Sequence, residues 1–136
     1  MKFMTGEWFK AADLDLMTMN EIVENENLTT ITAFHAQQCI EKVFKAVIEE
    51  FDLGEYKIHS LLRLLDVIRH SVSLEIDEDA LSLINQLYID SRYPAEMGLL
   101  PTGRPSYEQA KVFYATAQKI YDDVKFFLEH TQSSRG

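Results

Sequence analysis

Four residues on one stretch of the chain, His35, Gln38, Lys42 and Lys45, follow one another at helical spacings of three and four, with Glu49 continuing the row and Glu41 four residues before Lys45. Side chains at those spacings share a helix face, so two ammonium groups, an imidazole and an amide stand along one line. Lys Nζ and protonated imidazole donate to phosphate or carboxylate oxygens, which is binding chemistry. A charged row opposite an apolar arc is also simply how a solvated helix face reads. Both readings of the row are open at this point.

Two further features depart from a plain amphipathic pattern. Asp15 lies one heptad after Trp8 and one before Ile22, so it projects about 20° from Trp8, inside an apolar stripe. Either it sits wet at the rim of that stripe, or it is a buried carboxylate that must be paired, because burying it alone costs several kcal/mol. Farther along stands Ser91-Arg92-Tyr93-Pro94. Pro94 pushes Tyr93 out of helical geometry and so ends a helix there. Arg92 is either a partner of that helix's last carbonyls or, if the chain turns back toward the Lys42 row, a planar fork for phosphate. Tyr93 then offers an aromatic face for a base.

The elements that carry these residues are helical throughout. Trp8, Phe9, Ala12, Leu16, Met19, Ile22 and Val23 recur at three and four, which predicts a helix over about 7–24. Thr29 or Thr30 is placed to cap the next, about 30–52. There Ala33, Ala36, Ile40, Val43, Phe44, Val47 and Phe51 form one wide apolar arc, the mark of a central helix touching several neighbours. Gly54 stops that segment. Ser60 after His59 caps a short third helix over about 60–70, and Asp77 opens a fourth over about 77–91. All three prolines and two glycines fall between Tyr93 and Pro105, which predicts an irregular loop. Ser106 and Gln109 have capping-box spacing ahead of a long last helix, about 106–130, and the tail from Thr131 is expected to fray. The expected fold is all-α, an up-and-down bundle of four long helices plus one short one, within a single domain over 1–136.

The 136 residues, 46% of them hydrophobic, are enough for one core without staples. The lone Cys39 has no partner, sits among apolar residues and reads as inert packing in a reducing compartment. With no apolar run of signal-peptide or bilayer length, a cytoplasmic protein without membrane attachment is expected. A net charge of -9 opposes nonspecific nucleic-acid binding, which depends on Lys and Arg displacing counterions. The histidines His35, His59, His70 and His130 include no His-x-x-x-His or Glu-x-x-His pair, so neither a metal nor another cofactor is expected. Walker, dinucleotide-binding and nucleophile-elbow motifs are missing from the sequence.

These pieces together resemble the HEPN family (higher eukaryotes and prokaryotes nucleotide-binding domains). The resemblance runs from about Trp8 to Leu128. It is carried by Ala12-x-x-Asp15-Leu16, by His35-Ala36-Gln37-Gln38-x-x-Glu41-Lys42-x-x-Lys45-Ala46, by His59-Ser60-Leu61 and by Ser91-Arg92-Tyr93-Pro94. It implies a small helical module that dimerises and often accompanies a nucleotidyltransferase-like partner. It also implies a nucleotide or phosphorylated small molecule bound by Asp15, His35, Gln38, Lys42, Lys45, Arg92 and Tyr93. Ribonuclease members carry a His four to six residues after the Arg; here Arg92 is followed by Tyr93, Pro94, Ala95, Glu96, Met97 and Gly98. That break assigns no catalytic residue and leaves three functions in view: a ligand-binding module, a toxin–antitoxin-like structural dimer without ligand, and a metal-independent ribonuclease in which His35 or His59 replaces the missing imidazole.

Overall fold

The computed structural model of the chain describes residues 1–91 and 104–135. Among them are five α-helices and one 3₁₀ turn: α1 (Phe3–Ile22), the turn Glu26–Leu28, α2 (Thr29–Glu50), α3 (Leu61–Ile68), α4 (Glu78–Ser91) and α5 (Tyr107–Arg135). The all-α bundle expected from periodicity is the fold observed, and no strand occurs among the described residues.

α2 is the central element, packed against α1, α3, α4 and α5. Its Ala36, Ile40, Val43, Phe44 and Val47 are fully buried. They meet Ala12 and Met19 of α1, Leu61 and Leu64 of α3, Leu81 and Ile84 of α4, and Phe113 and Val124 of α5 in one core. The buried arc is wider than the apolar one, because Gln37 and Glu41 are also buried. Between residues 31 and 49 only a narrow strip of α2 keeps contact with water, and it carries Ile31, Phe34, His35, Gln38, Lys42, Lys45 and Glu49.

The helix ends show where local chemistry was legible. Asp77 Oδ1 accepts from the backbone N–H of Asp79 and Ala80, both at 3.1 Å. Ser60 Oγ accepts from Arg63 N at 3.4 Å. The Ser106–Gln109 capping box closes in both directions, at 2.9 and 3.0 Å. Each satisfies donors that the first turn of a helix leaves unpaired.

Several ends differ from expectation. α1 starts at Phe3, because Lys2 is tied to the far end of α2: its N–H donates to Glu50 Oε1 at 2.9 Å and its Nζ meets Asp52 Oδ1 at 2.6 Å. Neither Thr29 nor Thr30 caps α2; Leu28 is the N-cap and makes no side-chain bond. The cap stands earlier, where Asn25 accepts from Asn27 N at 2.9 Å, and the 3₁₀ turn then leads straight into the helix. α2 also ends before Gly54. Asp52 takes φ 53°, Leu53 N bonds Ile48 O at 3.0 Å and Asp52 N bonds Glu49 O at 3.4 Å, a Schellman stop with Asp in the position usually given to glycine. Finally, α5 continues to Arg135 through the segment expected to fray; no glycine or proline lies between Thr131 and Arg135 to break it.

Candidate functional site

Asp15 sits on the buried side of α1 beside Ala12, Leu16 and Met19, only 5% exposed. Both of its oxygens are used. Oδ1 lies 2.8 Å from His35 Nδ1, and Oδ2 accepts from Lys42 Nζ at 2.8 Å. The rim reading of Asp15 is thereby excluded and the paired one holds, as the cost of an isolated buried carboxylate requires. A carboxylate only accepts hydrogen bonds, so the imidazole presents Nδ1–H to Asp15 and keeps Nε2 free of it. The His35 ring is also held by an edge contact with Phe34, at 5.3 Å between centroids. Phe34 in turn packs on Tyr88 of α4 at 5.8 Å.

A second buried carboxylate repeats the arrangement on the other flank of α2. Glu41 is 7% exposed. It receives Lys45 Nζ at 3.0 Å, Gln37 Nε2 at 3.0 Å and His59 Nδ1 at 3.1 Å. The fully buried Gln37 also donates to the His59 carbonyl at 3.1 Å, and its Oε1 accepts from Gln38 Nε2 at 2.7 Å. His59 is therefore more than a neighbour of the α3 cap, since both its backbone and its ring are pinned to α2. On the α4 side, Asn85 Oδ1 accepts from Leu61 N at 3.0 Å and fixes the start of α3.

The outcome is two buried carboxylates on either side of a half-exposed strip, each holding one lysine and one histidine. Asp15 and Glu41 together cancel Lys42 and Lys45, and the network is neutral with both imidazoles neutral. Each ammonium group keeps further N–H donors beyond the one its carboxylate receives. Lys45 Nζ also lies 5.9 Å from the centre of the Trp8 ring, a cation–π approach.

Of the residues expected to form a site, Asp15, His35 and Lys42 are in direct contact, while Gln38 and Lys45 join through Gln37 and Glu41. Arg92 and Tyr93 lie outside the described residues. Gln37, Glu41 and His59 were not placed in the site by periodicity. Their signal was their presence in the same motif pieces as the row, since every polar side chain bonded to Asp15, Gln37 or Glu41 comes from those pieces. Alanines 12, 36 and 46 of the same pieces are fully buried, which lets neighbouring backbones approach. Cys39, also fully buried, is the inert thiol expected; burial, reinforced by the charge of Asp15, pushes its pKa far above the usual thiol range.

The family model of the HEPN domain matches residues 5–127 of the chain. The chain belongs to the HEPN family. No curated protein and no solved structure matches it. Among the described residues of this HEPN chain, no helix is long and apolar enough to cross a membrane.

Proposed function

We propose that this HEPN domain binds a nucleotide or a similar phosphorylated ligand along the exposed strip of α2, as a homodimer working with a nucleotidyltransferase-like partner in the cytoplasm. The observation that supports it is the pair of buried carboxylates. They hold Lys42, Lys45 and His35 in place from beneath, so the remaining donors are already oriented when an anion arrives and little side-chain freedom is left to lose. Gln38 adds an amide between the two lysines. Arg92 and Tyr93 complete the reading with a bidentate phosphate fork and an aromatic face. Calorimetry against a panel of mono-, di- and triphosphate nucleotides, with sedimentation to report the dimer, tests it. At least one nucleotide binds, and Arg92→Ala abolishes that binding while leaving the helical content intact. No heat with any nucleotide removes the proposal.

A second reading draws on the Asp15–His35 contact. A buried carboxylate on Nδ1 leaves Nε2 as a proton acceptor. On an RNA strand, Nε2 would take the 2′-hydroxyl proton as that oxygen attacks phosphorus, with the 5′-oxygen leaving and taking up a proton. Incubation of the pure protein with labelled RNA, with and without chelator, separates the readings. Cleavage that resists chelator and is lost in His35→Ala favours this one; intact RNA at high protein concentration eliminates it.

A further inference from the structure

A cleft of about 220 Å³ opens beside Lys45, at the end of the strip. Its walls come from separate elements: Trp8 of α1, the buried Ile48 of α2, and Tyr56 from the turn that follows α2. Tyr56 is set there by backbone geometry. Gly54 has φ 112°, and a Cβ on it would meet the Tyr56 ring at 3.4 Å, so the ring lies directly against a position that has no side chain. The cleft has room for one bicyclic ring.

The chemistry of the lining narrows what fits. Two aromatic side chains form walls, and both signs of charge stand around them, with Lys45 and Lys57 as donors and Glu49 and Glu55 as acceptors. A phosphate would face two carboxylates. A purely apolar group would strip water from four charged groups and return nothing to them. A nucleobase satisfies both demands, with a π face for the rings and an edge carrying donors and acceptors together.

We infer that this cleft takes the purine base of the ligand, with Trp8 and Tyr56 as the stacking surfaces and Lys42 and Lys45 receiving its phosphate. The assignment rests on the phosphate-binding reading above and adds which end of the strip receives the base. The spacing suits it: Lys45 lines the cleft and Lys42 stands three residues before it, about 4.5 Å along the helix axis, so one phosphate beside the cleft can meet both.

Trp8 is the only tryptophan in the chain, so its fluorescence reports on this cleft alone. The experiment titrates the intact protein with GMP and AMP, and separately with ribose 5-phosphate, which has the sugar and phosphate without the base. The purine nucleotides are expected to quench Trp8 and to bind at least tenfold more tightly than ribose 5-phosphate. Tyr56→Ala weakens nucleotide binding by roughly five- to tenfold, as loss of one stacking surface does, and leaves ribose 5-phosphate unchanged; Tyr56→Phe retains nucleotide binding. Equal binding of nucleotide and ribose 5-phosphate, or Tyr56→Ala binding as wild type does, overturns the base site and leaves the phosphate site standing. If neither kind of ligand binds, both readings fall. Tyr56 is partly exposed, and melting of each variant confirms that it is folded.

Discussion

Asp15 of α1 and Lys42 of α2 meet at 2.8 Å across 27 residues of sequence, at a point where the carboxylate is almost wholly shielded and the lysine keeps about a quarter of its side chain in water (26%). The contact joins the first two helices of the bundle and also positions a surface cation. A single pair of residues thus belongs to the fold and to the candidate site, and mutating it tests both roles.

Asp15→Ala removes the acceptor of both Lys42 and His35. Breaking a fully buried pair costs about 3–5 kcal/mol, and the water that reaches Lys42 lowers the expectation to about 1–3 kcal/mol. Denaturant unfolding measures it. A double-mutant cycle with Lys42→Met should show a coupling of at least about 0.5 kcal/mol, the range found for residues in contact. Additive losses would mean that the two side chains do not support each other.

Gln37→Leu keeps the apolar bulk and deletes the amide that binds Glu41, the His59 carbonyl and Gln38. The buried Glu41 and the part-buried His59 carbonyl each lose a donor, at about 1–3 kcal/mol for a fully buried acceptor before relaxation. The expected result is a loss of about 2 kcal/mol, together with faster amide exchange at the start of α3, where His59 and Leu61 are held. Unchanged exchange there would show that His59 is fixed by other contacts.

Gly54→Ala places a methyl group at φ 112°, a conformation that residues with a side chain rarely adopt, and against the Tyr56 ring. A loss of about 1–3 kcal/mol in thermal or chemical unfolding is expected. Trp8 emission should shift as well, because Tyr56 shares its cleft.

Cys39 gives a pH dependence of defined sign. Burial raises the folded thiol's pKa above its ordinary value of 9.0, so only the unfolded chain releases this proton as pH climbs. The contribution to stability is complete below pH 9 and is lost as pH rises above it, by up to about 1.4 kcal/mol per pH unit. Tyr121, whose pKa burial also raises from 10.0, adds a second loss starting about one unit higher. Cys39→Ala should flatten the fall between pH 9 and 10 without removing the later one, as melts across that range will show.

Much of the architecture was legible because it rests on short-range chemistry. The three-and-four recurrence of Phe9, Ala12, Leu16 and Met19 requires a helix with one buried side. Asp77, Ser60 and the Ser106–Gln109 pair mark where helices begin through bonds reaching only two or three residues. The ends that differed depended on distant groups: α1 starts early because Lys2 finds Glu50 and Asp52, and α2 stops at Asp52 once Leu53 folds back onto Ile48.

The row His35, Gln38, Lys42 and Lys45 divides in the same way. Its alignment on one face follows from the helical repeat, which the sequence by itself determines, as it does the family and the misplaced carboxylate at Asp15. What lies under the row could not be read there. Gln37 and Glu41 sit beyond the apolar arc of α2 and count as solvated until α3 is packed and His59 is brought against them. Whether a charge is wet or paired depends on which helix covers it, and helix spacing within one element carries no information about that cover. The tertiary structure decided it, by placing Asp15 beneath one end of the row and Glu41 beneath the other.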